Sequence, residues 1–320
     1  MPQQPRVLFA AAAATALGAL AAWAGWIEPR RTVVRRRTLR LPRWPRELDG
    51  LRVALVGDLH AGAPHVDARR VGRVAGAIAR GRPDLVLLAG DFVDDEVTGA
   101  TRVAPEAVAA ELARLRPPLG TFAVLGNHDR AFGAQRVQDA LRECGITVLR
   151  DDARRVAYRG APLWVAGVDG LHDEPRDARP ALTGIGDGDP VLLLVHEPDV
   201  FATVPDRVAL TCAGHTHGGQ VALPRLRARW TPSRFGERYA RGLVVERGRH
   251  LLVTSGVGTS RLPLRLGAPP EVVLLRLRPA GRQRRRGRSQ PVSRSSSETT
   301  GGALDGARPN GATTAATRRS

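Results

Sequence analysis

No lysine occurs anywhere in the 320 residues, so each of the 49 basic side chains is an arginine. The net charge of +18 therefore cannot be relieved by deprotonation or acetylation of an amine. Cysteine is nearly absent too: Cys144 and Cys212 provide neither a disulfide framework nor the spacing of a thiolate metal site. Both are expected to be reduced and buried, with a single bridge between them as the alternative. No unit repeats along the chain, and no twin arginine precedes the apolar segment near its start. Apolar residues, by contrast, make up 42% of the sequence, enough to bury a core in one large domain or two ordinary ones.

The two ends differ from the middle. Val7 to Ile27 is broken by one polar residue, Thr15, and as a helix it would reach about 30 Å, the thickness of a bilayer core. Trp23 and Trp26 fit an interfacial aromatic belt. A retained anchor over 1–28 is expected. A cleaved signal peptide is the alternative, since Ala22-Trp23-Ala24 resembles a cleavage site but the basic segment before it is only Arg6. Arg30, Arg31, Arg35, Arg36, Arg37, Arg40 and Arg43 follow, which favours the cytoplasmic face, with the exported face as the alternative. Residues 29–48 read as a basic linker, so a chain starting near Leu48 is expected to stay folded. Residues 279–320 read as a disordered tail rich in Arg and Ser, whose composition does not compensate ordering entropy.

Between these ends, over 49–278, apolar runs alternate with helical patterns. Leu51 to Val56, Leu85 to Ala89 and Phe122 to Leu125 read as strands, separated by an amphipathic helix carrying Val66 to Ile78 and a second helix starting at Pro105. A third helix is expected near Gln135 to Glu143, stopped by Gly145. The second half reads as strands: Leu163 to Val168, Val191 to Val195, Val208 to Cys212, Leu251 to Thr254 and Glu271 to Leu277. The fold class is α/β, with helices covering sheet faces.

Each strand ends in residues that carry chemistry. In order they are Asp58 and His60, Asp91, Asn127, His196, then His215 and His217 within Gly214-His-Thr-His-Gly-Gly-Gln. Carboxylates, an amide oxygen and imidazoles without thiolate suit Mn, Fe or Zn ions. Seven ligands exceed one tetrahedral ion but suffice for two divalent metal ions sharing a carboxylate.

The ordered set Asp-x-His, Gly-Asp-x-x-Asp, Gly-Asn-His-Asp, an isolated His and Gly-His-x-His resembles the calcineurin-like metallophosphoesterases, from about Leu51 to Leu277. With the apolar N-terminal helix, His196-Glu-Pro-Asp, Gly256-Val-Gly-Thr-Ser and Pro269-Pro-Glu, it is similar to the small membrane-associated bacterial branch, including enzymes of the UDP-2,3-diacylglucosamine pyrophosphatase kind. The resemblance implies a four-layer fold, two packed β-sheets flanked by helices. It implies that Asp58, His60, Asp91 and His217 hold one metal, and that Asp91, Asn127, His196 and His215 hold the other. A bridging hydroxide would attack phosphorus in line. His128 is then a candidate to act on the leaving group, as general acid or as hydrogen-bond donor to its developing charge, and Asp94 and Asp129 are candidates to orient the ligand histidines. Gly57 departs from the serine common among relatives, which removes a hydroxyl but no ligand.

The expected activity is hydrolysis of a phosphodiester or pyrophosphate bond, with lipid-linked substrates as candidates and membrane lipid headgroups as partners. A nucleotide phosphodiesterase or nuclease is the alternative, although charge concentrated beside an anchor does not favour specific nucleic-acid binding. A scaffold without catalysis is the third reading; no ligand is missing from the motifs. His65, His172 and His250 read as surface or loop histidines. Arg261 and Arg265 are candidates to grip a phosphate, with a solvated role as the alternative. The Trp230 to Phe235 segment is a candidate lip of the site, or a loop packed on its own domain.

Overall fold

A computed structural model describes residues 4–94, 96–169, 177–223 and 227–281. Two six-stranded sheets form its centre. The first contains β1 (Val33–Leu41), β2 (Arg52–Val56), β3 (Leu85–Leu88), β4 (Thr121–Ala123), β5 (Thr147–Val148) and β12 (Glu271–Pro279), ordered β1-β12-β2-β3-β4-β5. The second contains β6 (Asp152–Tyr158), β7 (Ala161–Gly167), β8 (Val191–Leu194), β9 (Leu210–Ala213), β10 (Gly242–Glu246) and β11 (Arg249–Val253), ordered β10-β11-β9-β8-β7-β6.

Period-two burial builds the layers. In β2, Val53 and Leu55 point between the sheets while Ala54 and Val56 point to the helices, and in β3 Leu85 and Leu87 divide from Val86 and Leu88 in the same way. Leu192, Leu194, Leu210 and Cys212 meet them from the second sheet. Helices α2 (Ala68–Arg80), α3 (Pro105–Leu112) and α4 (Asn127–Glu143) cover the outer face of the first sheet. Short 3₁₀ turns carrying Ala181, Leu182, Val200 and Phe201 cover that of the second. This is the expected four-layer arrangement. Cys144 and Cys212 are both free, and burial pushes the Cys212 thiol up to about 12.

Strand direction positions the site. β2, β3, β4 and β5 run parallel in one sheet, and β7, β8, β9 and β11 run parallel in the other, so their carboxyl ends gather at one edge of the sandwich.

The N-terminal third departs from expectation. Residues 33–41, read as linker, form an edge strand paired in parallel with β12 at every position from Val33 opposite Glu271 to Leu41 opposite Pro279. Arginines at 35, 36, 37 and 40 obscured its pattern, and such charge is what keeps an exposed edge from pairing with other chains. Ahead of it, α1 (Gln4–Ala22) continues through a π-helical turn over Trp23–Ile27, and Val7–Arg30 is long and apolar enough to cross a membrane. The third helix begins eight residues earlier than expected, at Asn127, and is kinked at Gly133, where φ is 133°. The tail from Arg282 and His172 lie outside the described residues.

Candidate metal centre

Tight backbone turns deliver the ligands. Asp58, His60, Asp91, His215 and His217 all have left-handed φ, at 50°, 46°, 55°, 70° and 51°. Non-glycine residues seldom adopt this conformation, and clusters of it mark sites where surrounding structure enforces strain for function. Close approach of the backbone is equally necessary: a Cβ on Gly126 would fall on the Asp91 carboxylate, and one on Gly214 would lie 2.8 Å from Asp58 Oδ2. Gly57 is similarly confined, since a Cβ there would sit 3.0 Å from that of Ala89.

Asp91 lies at the middle. His60 and His196 each aim Nε2 at its Oδ2, from 3.4 and 3.3 Å. Their opposite nitrogens are tied back, His60 Nδ1 to Asp94 Oδ2 at 2.5 Å and His196 Nδ1 to the Ala89 carbonyl at 2.7 Å. Such outer bonds orient an imidazole so that its inner nitrogen faces the centre and can give a lone pair to a cation that displaces its proton. Asn127 Oδ1 and His215 Nδ1 lie 3.1 Å from His196 Nε2, while Asp58, His60 and His217 gather on the other side. The His215 N–H donates to Asp58 Oδ1 at 2.7 Å and joins the loops of the two sheets.

This donor set fits a pair of cations. Asp58 Oδ2, His60 Nε2 and Asp91 Oδ2 are buried without a hydrogen-bond partner among the described residues, an expensive arrangement for three convergent polar atoms unless a cation satisfies them. Asp58, His60 and His217 lie within ligand spacing of one another, as do Asp91, His196 and His215. A third grouping of His60, Asp94 and His128 reads differently, because Asp94 is already bonded to His60 Nδ1 and lies 3.3 Å from His128 Nδ1. It is a carboxylate holding two rings.

The electrostatics follow from burial and crowding. Burial alone would lower the His60 and His196 imidazoles, but Asp91, with Asp94 beside His60 and Asp58 beside His196, outweighs it and pushes both up to about 10. Burial raises Asp58 to about 6, and burial lowers His215 to about 3. His128 is raised, its burial outweighed by the bond to Asp94 and the charge of Asp91.

All seven expected ligands converge, with His128 and Asp94 beside them. Asp129 acts otherwise than expected. It orients no histidine among the described residues, and instead accepts the N–H groups of Asp91, Phe92 and Gly126 at 2.8, 2.7 and 2.9 Å, joining the loops after β3 and β4. Arg265 is neither solvated nor a phosphate grip. It is fully buried, donates to the carbonyls of Gly258, Ala268 and Ser255, and lies against His217. Arg261 is exposed and lines the pocket, as do Trp230, Thr231 and Pro232, so this segment is a lip. His65 is half-buried against the base of the N-terminal helix rather than free on the surface.

Sequence reasoning gave no role to Gln220. Its side chain donates to the Ser260 and Leu262 carbonyls at 3.0 and 2.9 Å and accepts from the Ser260 N–H, fixing the loop at the pocket rim. Its place at the end of the double-histidine motif was the only available signal. Glu96 and Arg229, also on the pocket wall, had none.

The sequence profile of the calcineurin-like phosphoesterases matches residues 51–219, and the chain belongs to that family. It is a metal-dependent phosphoester hydrolase. It is 30% identical to the uncharacterized metallophosphoesterase YkuE of Bacillus subtilis, over 83% of this chain and 94% of that protein. It is 35% identical to the phosphodiesterase YaeI of Escherichia coli, over 64% of this chain and 75% of the other. A transmembrane protein with metallophosphoesterase domain from Danio rerio is 28% identical, over 74% of this chain and 55% of its own length.

Proposed function

We propose that the protein is a membrane-anchored phosphodiesterase or pyrophosphatase acting on a lipid-linked phosphoester. The observation that carries the chemistry is the convergence of His60 and His196 Nε2 on one buried Asp91 oxygen, flanked by unsatisfied donor atoms on both sides. Asp58, His60, Asp91 and His217 would hold one divalent ion; Asp91, Asn127, His196 and His215 would hold the other. Asp91 would serve both, because a carboxylate has lone pairs for two cations. When bound, the ions would activate water and neutralise charge on the phosphoryl group.

The chain's own residues supply the rest. His128, on the pocket wall with 16% of its side chain exposed and its Nδ1 3.3 Å from Asp94 Oδ2, would carry the proton for the leaving oxygen. The pocket of about 400 Å³ accommodates a headgroup rather than a whole lipid. Its lip is mixed in character, with Trp230 and Pro232 beside Arg229 and Arg261, which suits a phosphate attached to an apolar body. Anchoring is supported by the apolar helix over Val7–Arg30 and by the transmembrane relative. The arginines after that helix favour the cytoplasmic leaflet. Among lipid pyrophosphates, those of the UDP-2,3-diacylglucosamine kind are the reference substrate class.

The test is a substrate panel of phosphomonoesters, soluble nucleotide diesters and lipid pyrophosphates, with chelator and then Mn²⁺. Chelation should abolish hydrolysis and Mn²⁺ should restore it. Asp91→Ala should lose both ions by elemental analysis, and an active variant with unchanged metal content would remove the bridging assignment. A strong preference for soluble nucleotides would replace the lipid reading with a nucleotide phosphodiesterase.

A further inference from the structure

The rim of the metal pocket and the base of the apolar helix belong to one continuous piece of structure. Ser260 and Arg261 line the pocket. Four residues beyond Arg261, the Arg265 N–H donates to the Ala24 carbonyl at 2.9 Å. In between, the Pro263 backbone faces His65, whose Nε2 lies 2.9 Å from the Gly25 carbonyl and whose ring meets Trp26 edge-on at 5.7 Å. Arg70 completes the join by donating to the Pro29 and His65 carbonyls. Even a fully extended chain from Arg261 to Arg265 spans no more than about 14 Å. The helix base is therefore fixed beside the pocket mouth.

Leu262 lies within this connecting loop. It is 38% exposed although Gln220 holds its carbonyl, so a rigid loop presents an apolar side chain outward. Trp26 and Ile27, at the helix base, are 64% and 47% exposed. Arg229 and Arg261 are exposed at the same rim, and neither has a carboxylate partner among the described residues. Apolar side chains beside unpaired cations match the boundary between acyl chains and anionic headgroups.

We propose that the loop over 260–265 is an interfacial membrane contact: Leu262 inserts into the leaflet that α1 enters, and the metal pocket opens onto the headgroup layer. The inference rests on the anchoring reading above and adds where the domain meets the bilayer and from which side substrate arrives. The occupant is the bilayer rather than a protein partner, because the exposed Leu262 adjoins a helix that is itself apolar along its length and only 6% buried. A phosphoester would reach the metals without its apolar body leaving the membrane.

The experiment uses the full chain in vesicles of phosphatidylcholine and phosphatidylglycerol at about 3:1. A polarity-sensitive maleimide dye is placed on Leu262→Cys and, for comparison, on Val245→Cys in the edge strand β10, with the unsubstituted chain labelled in parallel as the blank. Brominated lipid should quench the dye at 262 and leave that at 245 unchanged. No quenching at 262, or equal quenching at both, would overturn the proposal. A second arm compares Leu262→Glu with the unsubstituted chain on a phosphatidyl p-nitrophenol ester in the vesicles and on soluble bis(p-nitrophenyl) phosphate, both with Mn²⁺. The variant should lose at least tenfold on the vesicle ester and stay within twofold on the soluble diester; equal rates on the vesicle ester would overturn entry from the headgroup layer. Failure of the unsubstituted chain to hydrolyse the soluble diester would sink the phosphodiesterase reading instead, and the quenching would still decide the contact. Failure of the unsubstituted chain to float with vesicles would sink the anchoring reading and this proposal with it.

Discussion

At the scale of single residues, the proposed assignment separates side chains that would hold cations from one that would move a proton. His128 follows Asn127, yet its Nδ1 faces Asp94 and its N–H donates to Asp91 Oδ1 at 2.9 Å. His128→Ala is expected to keep its metals and lose about 10²–10⁴-fold in kcat, as for a general acid. The loss should shrink for leaving groups that need no proton. Metal content and a leaving-group series check this, and a collapse of metal occupancy would make His128 a ligand. Acidity acts on the ligands themselves. With His60 and His196 raised to about 10, both rings would carry protons at neutral pH until a cation displaced them. Cation uptake must then release protons, so apparent affinity should rise with pH. Calorimetric Mn²⁺ titrations at pH 6 and 8 should show weaker binding at the lower pH; equal affinity would contradict the displacement.

At the scale of elements, β1 decides what the minimal domain is. Its pairing with β12 includes the Arg35 to Glu271 ion pair at 2.5 Å, and Glu271 in turn accepts the Ser255 N–H at 2.9 Å beside the site. A chain starting at Trp23 removes only α1 and should retain the melting temperature of the domain. One starting at Leu48 also removes Leu39, Leu41 and Trp44, all buried. At roughly 1.5–3 kcal/mol per buried side chain the loss is several kcal/mol, lowering Tm by about 10 °C or more. Thermal denaturation of the two chains checks this, and equal midpoints would mean β1 contributes nothing. Neither the run of arginines nor the missing apolar alternation pointed to a strand here, because an edge strand with one solvated face does not have to be apolar.

At the scale of the whole molecule, the proposed role of the apolar helix is to set the substrate's concentration rather than the chemistry. The proposed metal ligands lie on loops after β2, β3, β4, β8 and β9, and none of them lies in the first 57 residues. Removing α1 should therefore leave turnover of small soluble diesters unchanged and reduce the rate chiefly on lipid phosphoesters in vesicles, since the loss is one of local concentration. Comparing the full chain with the chain starting at Trp23 on both substrates tests this. Equal rates on vesicle lipid would remove the membrane from the account.

The sequence by itself determined the alternating architecture, the span-length helix and which residues at the strand ends are candidates to hold metal. Metal ligands must be particular residue types at strand ends, and period-two and period-3.6 burial leave their marks in the order of residues. Only the tertiary structure decided the roles that depend on neighbours distant in sequence. Arg265 is an ordinary arginine in a chain rich in them until folding buries it against His217, 48 residues away. Asp129 differs from an imidazole-orienting carboxylate only in which N–H groups the β3 loop brings to it. The union of helix base and pocket rim arises likewise from contacts between residues far apart in sequence, the Arg265 N–H on the Ala24 carbonyl and His65 against Gly25 and Trp26 among them, which no local pattern encodes.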